Sequence, residues 1–162
     1  MRDITFRGRR TDNGEWTEGN LVWIKNCNNE PYQCFIISHL AYMEYGEFDD
    51  IYKVLPETIG QYTGLTDKNG KKVFEGDIVK TQPFYDKPYS DKRKAKQFIG
   101  VVTYKVSTFK GNRFYSSQDY SAEWGLKFNE DFGKFTHYSW DELWNCEVIG
   151  NIHDNKELLE VK

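Results

Sequence analysis

The chain has 162 residues, 38% of them hydrophobic and 17% aromatic, with a formal net charge of -3. That is the common size of one domain, long enough to bury a core without disulfides or metal, and so small a net charge argues neither for nor against nucleic acid as a partner. No stretch approaches the roughly 20 apolar residues of a membrane span, and Met1-Arg2-Asp3-Ile4-Thr5-Phe6 lacks the apolar run of a signal peptide, so a cytoplasmic protein without a membrane partner is expected.

Five Trp, eleven Tyr and eleven Phe offset a shortage of aliphatic residues, and a core of that kind favours sheets. Cys27, Cys34 and Cys146 are an odd number with no CxxC pair, which predicts free thiols in a reducing compartment.

Ile4-Thr5-Phe6-Arg7 alternates apolar and polar residues, and Thr11-Asp12-Asn13-Gly14 supplies turn chemistry before Trp16 and Leu21-Val22-Trp23-Ile24. The pattern predicts an opening β-hairpin. Tyr32 to Ser38, rich in β-branched and aromatic residues, predicts a further strand after the polar turn from Asn26 to Pro31. Glu44 to Asp50 reads as an acidic turn, Ile51 to Val54 as a short strand, and Pro56 to Ile59 as a helical turn with Pro at its start. Asp67-Lys68-Asn69-Gly70 is a tight-turn signal between two short strands, and Glu75-Gly76-Asp77 punctuates before Ile78-Val79-Lys80.

Gln82 to Gln97 is polar, holds two prolines and reads as a long surface loop. Gly100 to Tyr104 begins the next strand, Gly111-Asn112-Arg113 is a turn, and Trp124 to Phe128 alternates as a strand with one buried face should. Glu147 to Ile152 is the last strand, and Asn155 to Leu159 closes the chain with a helical turn. No helical periodicity is sustained and no repeat is present, so the chain is predicted to be mainly β.

Three blocks in this order resemble the YopX family, found mostly in phages and prophages. They are the opening Arg2 to Arg7, the central Ile59-Gly60-Gln61-Tyr62-Thr63-Gly64-Leu65-Thr66-Asp67-Lys68-Asn69-Gly70-Lys71-Lys72-Val73-Phe74-Glu75-Gly76-Asp77-Ile78-Val79, and Cys146-Glu147-Val148-Ile149-Gly150-Asn151-Ile152-His153-Asp154-Asn155 with Glu157-Leu158-Leu159. The resemblance implies one domain over 1–162, open to subdivision into an N-terminal β region (1–58) and a small β-barrel region (59–162). Its implied fold is N-terminal hairpins leading into a small SH3-like barrel with one or two short helical turns, in the cytoplasm of a bacterial host cell. It implies no known reaction, cofactor or catalytic residue. The glycines and aspartates of these blocks also have a structural reading, as turn residues.

Catalytic motifs are weak. Gly64 to Lys72 resembles a P-loop only loosely, since Lys71 is followed by Lys72 where Ser or Thr should bind magnesium, and Val73-Phe74 reads as strand. His137, Asp141 and Glu142 match no standard metal spacing, and Trp140 and Trp144 beside them suggest core packing. His153 beside Asp154 reads as a solvated surface pair, no Gly-x-Ser-x-Gly elbow is present, and Cys34 reads as a small core residue. No catalytic residue, metal or cofactor is therefore assigned.

The charge distribution says more than its sum. Residues 84–118 carry eight cations against two acids, a net +6, and residues 119–162 carry ten acids against four bases, a net -6. Tyr85, Lys87, Tyr89, Lys92, Arg93, Lys94 and Lys96 interleave rings with cations, a combination suited to single-stranded nucleic acid or an acidic partner. A solvated loop is the plainer reading of that run. The leading expectation is a noncatalytic binding or assembly module, partnered by a second copy of itself or another protein. Nucleic-acid binding is the alternative, and an enzyme with no local motif comes third.

Overall fold

The computed structural model of the chain describes residues 4–25, 31–38, 43–44, 47–48, 50–82, 97–109, 119–128 and 145–160. They divide into two compact units, Met1–Gly64 and Leu65–Lys162. Antiparallel β-structure dominates both, as composition predicts.

In the first unit, β1 (Phe6–Arg9) and β2 (Trp16–Ile24) form the expected opening hairpin, in register from Phe6↔Gly19 to Arg9↔Trp16. Its turn closes where Gly14 N–H donates to Arg10 O (3.1 Å) and Arg10 N–H to Glu15 O (2.8 Å). β3 (Gln33–Ser38) lies on the other side of β2, with Leu21 opposite Ile36 and Trp23 opposite Cys34. The acidic segment expected as a turn also carries a two-residue ladder, because β4 (Met43–Glu44) pairs with β5 (Glu47–Phe48). β6 (Ile51–Lys53) covers β3, a 3-10 turn follows at Pro56–Thr58 with Pro leading it, and β7 (Gly60–Thr66) returns beside β1.

The core of this unit is Cys34, Ile36 and Val54, with Phe6, Leu21 and Ile59 packed against it. Paired residues share a face of a sheet, so the register explains the cluster: Leu21, Ile36, Cys34 and Phe6 all stand on one side. Arg9 N–H donates to Thr58 Oγ1 (2.9 Å), which ties the 3-10 turn to β1.

Leu65 and Thr66, the last residues of β7, lead into the second unit and the hairpin with β8 (Lys72–Phe74). The turn between them is the one read from Asp67-Lys68-Asn69-Gly70. Gly70 N–H donates to Asp67 O (2.9 Å) at a φ of 83° that glycine adopts without a Cβ penalty. A second tight turn at Glu75 and Gly76 (φ 80°) leads into β9 (Asp77–Lys80), and buried Asp77 accepts the N–H of Phe74 at 2.8 Å. Both aspartates thus serve as turn residues.

β9 pairs on one side with β10 (Ile99–Phe109) and on the other with β12 (Glu147–Asn151), while β11 (Asp119–Phe128) lies outside β10. A 3-10 turn at Lys156–Leu159 follows β12, as expected. Val73, Val79, Val102, Trp124, Leu126, Cys146 and Val148 form the core of this unit. Among the described residues these four strands make an open sheet with β11 and β12 at its edges, and no closed barrel is found.

Candidate functional site

Tyr85, Lys87, Tyr89, Lys92, Arg93, Lys94 and Lys96 lie outside the described residues, as do His137, Trp140, Asp141, Glu142 and Trp144. The ends of the basic segment are nevertheless placed. Buried Thr81 and Phe98 exchange hydrogen bonds, Thr81 N–H to Phe98 O (2.9 Å) and Phe98 N–H to Thr81 Oγ1 (3.1 Å). The basic segment therefore begins and ends at one closed neck between β9 and β10.

The described thiols are poor nucleophiles. Cys34 is a core residue whose Sγ donates to Val54 O at 3.6 Å, and burial pushes its thiol pKa up. Burial, then the nearby carboxylates of Asp67 and Asp77, push that of Cys146 up to about 11. A thiol so shifted is protonated at neutral pH, and the thiolate is the reactive form. Iodoacetamide at pH 7.5 is therefore expected to leave Cys34 and Cys146 unmodified until denaturant is added, as read by peptide mapping. Fast labelling of native Cys146 would contradict the assignment. Among the described residues no group of three or more His, Cys, Asp or Glu side chains gathers as a metal site, and no helix is long and apolar enough to cross a membrane.

Asp67, only 5% exposed, is the most heavily engaged carboxylate of the turns. Oδ1 accepts the N–H groups of Asn69 (2.8 Å) and Lys71 (2.9 Å), and Oδ2 accepts that of Val148 (3.0 Å). Burial by itself would raise its pKa, but the N–H groups of Val148, Lys71 and Asn69 outweigh it and hold the carboxyl below its ordinary value. Lys68 N–H also donates to Cys146 O (3.0 Å), and the Lys68 ammonium pairs with Glu147 at 2.5 Å. This constellation pins the central block to the closing block. Its work is structural, and His153 belongs to a similar turn, with its N–H donating to Asn151 Oδ1 at 2.9 Å.

The longest continuous pairing among the described residues is the ribbon of β10 and β11. Their register is unbroken from Gly100↔Phe128 to Phe109↔Asp119, whereas β9 pairs with β10 only at Ile99, Gly100 and Val101. The next carbonyl, that of Val102, accepts Gly76 N–H at 2.9 Å. Beyond it, from Thr103↔Gly125 outward, no third strand joins the pair among the described residues. Seven residues of strand span about 20 Å.

One face of this ribbon changes from core to surface along its length. Val102 is 0% exposed and Leu126 1%, Trp124 is 7% exposed, and then Tyr104 is 50% and Val106 62% exposed. Tyr104 sets its ring edge-on to Trp124, with centroids 5.0 Å apart. The core thus continues outward as an apolar row open to solvent. Sequence reasoning placed strands here but not this surface; the signal was the uninterrupted β-forming run Val101-Val102-Thr103-Tyr104-Lys105-Val106.

The first unit carries a different cluster. The guanidinium groups of Arg7 and Arg9 lie over the Trp16 ring at 5.0 and 5.4 Å, and that of Arg10 lies 3.9 Å from the Tyr52 ring centre while pairing with Asp12 at 2.5 Å. These stacked cations brace the hairpin.

A model of the YopX protein family matches residues 5–160. The crystal structure of protein EF1440 from Enterococcus faecalis is similar at 25% identity, over 98% of this chain and 99% of that one, with a TM-score of 0.44. A search of curated proteins finds no match. The family match contains both the central block at 59–79 and the closing block that Asp67 ties to it, and by that match the chain belongs to the YopX family.

Proposed function

We propose that this chain is a noncatalytic binding or assembly module that works through protein–protein contacts, with the ribbon of β10 and β11 as its contact element. The observation that carries this reading is the apolar row running from buried Val102 to exposed Tyr104 and Val106. A two-stranded ribbon is marginally stable alone in water, and exposed apolar surface continuous with a core marks a place where another chain packs. The same reading sets the module in the cytoplasm of a phage- or prophage-carrying bacterium, as a homo-oligomer or bound to another protein. It treats the C-terminal strands as part of an SH3-like barrel.

Sedimentation velocity of the native chain and of the Tyr104→Ser/Val106→Ser variant tests the proposal. Each exposed side chain buried in a contact contributes on the order of 1 kcal/mol or more, so the variant should associate at least tenfold more weakly. A strict monomer at high concentration that binds single-stranded DNA or RNA with a steep salt dependence would instead favour the nucleic-acid reading through Lys92, Arg93 and Lys94.

A further inference from the structure

Successive residues of a strand turn their main-chain groups to alternate sides, and β10 is bonded on both sides only as far as Val102. Phe98, at the foot of β10, exchanges hydrogen bonds with Thr81, and Val102 O accepts Gly76 N–H, all on the β9 side. By the same alternation Tyr104 and Val106 turn their N–H and C=O groups to that side, where pairing with β9 has ended at Val101. Among the described residues no strand takes its place. Tyr104 and Val106 are 50% and 62% exposed, so the edge they form is open to solvent. A row of outward main-chain groups is a template for another strand.

Resting on the reading of the ribbon as a contact element, we propose that this edge of β10 pairs antiparallel with the same edge of a second copy of the chain, across a two-fold axis at Val106. An axis perpendicular to the sheet sets one residue opposite its own copy, so only a few registers exist. Centring on Tyr104 would call on Val102 O, which Gly76 N–H already holds. Centring on Lys105 would set two ammonium groups directly opposite each other, and like charges so placed are destabilising. Val106 is the midpoint of the stretch from Thr103 to Phe109, so centring there pairs the whole of it. A second copy suits this edge because the edge is complementary to itself: the occupied carbonyl, the lysine and the free length all select one register. Each copy's apolar row then runs from buried Val102 out to Val106, its most exposed member, and meets the other row there on one face of a continuous sheet.

The test is cysteine cross-linking under mild oxidation in a Cys27→Ser background, where the remaining native thiols, Cys34 and Cys146, are buried. Directly paired residues of an antiparallel ladder have Cα atoms about 5.5 Å apart, inside the roughly 4.4–6.8 Å reach of a disulfide. Val106→Cys places a thiol opposite its own copy. Tyr104→Cys places it about 13 Å from its copy along the strands, out of reach. Both positions are exposed and so meet equally well by random collision. Val106→Cys should therefore form the disulfide-linked dimer at least roughly tenfold faster than Tyr104→Cys. Equal rates, or no linked dimer from Val106→Cys in a chain that sediments as a dimer, overturn the pairing at Val106. In either case, loss of association in Tyr104→Ser/Val106→Ser would still support the ribbon as contact element. A native chain that stays monomeric throughout overturns both.

Discussion

Gly19→Ala should unfold the N-terminal sheet. A Cβ built at residue 19 would lie 2.0 Å from Ile37 O, 2.7 Å from Ile37 C and 3.0 Å from Ser38 Cα. All three atoms are backbone of β3, so no side chain can swing aside and relief requires β2 and β3 to separate. Gly19 also stands opposite Phe6 on β1 and Ser38 on β3, which makes it the crossing point of three strands. Overpacking an adaptable core costs about 1–3 kcal/mol, and a clash with fixed backbone belongs to the rarer class above about 4 kcal/mol. Hydrogen exchange should show β1, β2 and β3 amides losing protection. A variant that keeps native protection there would mean that β2 passes β3 less closely.

Asp67→Ala should carry the second largest cost, about 3 kcal/mol by denaturant unfolding, because it strands the N–H groups of Asn69, Lys71 and Val148 at once. Asp67→Asn keeps one acceptor oxygen and should cost about half as much. The effect depends on pH with a definite sign. Since the folded pKa of Asp67 is lowered, its carboxylate stabilises the fold fully above its unfolded value of about 4, and that contribution is lost as pH falls through the folded value. The gap between native chain and Asp67→Asn should therefore be widest near neutrality and close in acid. A gap that stays constant between pH 7 and pH 3 would show that the ionised carboxylate is not what stabilises the turn.

Much of the strand pattern was legible because its signals are local. Asp-Lys-Asn-Gly at 67–70 and Glu-Gly-Asp at 75–77 name their turns through residues that accept positive φ or cap an amide, and both turns form there. Asp67 was legible as a turn residue, but its bond to Val148, 81 positions away, was not, since nothing local records a long-range partner. Gly19 gave no signal for the same reason: its constraint comes from the close approach of β3, which depends on the pairing of distant strands. The ribbon shows the limit most clearly. Val101 to Val106 reads as strand, yet whether its even positions face core or solvent depends on where β9 stops, and β9 pairs no further than Val101. The basic aromatic run from Tyr85 to Lys96 was the most conspicuous functional signal in the sequence. What the structure adds to it is the neck at Thr81 and Phe98.

The claim that the β10–β11 ribbon is where this chain meets a second copy is tested most directly by hydrogen exchange over a range of protein concentrations. Amides of Thr103–Phe109 and Asp119–Phe128 should become protected as concentration rises, in step with the sedimenting mass, while those of β12, on the far edge of the sheet, stay unchanged. Exchange in the ribbon that is identical at every concentration, with assembly proceeding regardless, would place the contact elsewhere and contradict the account.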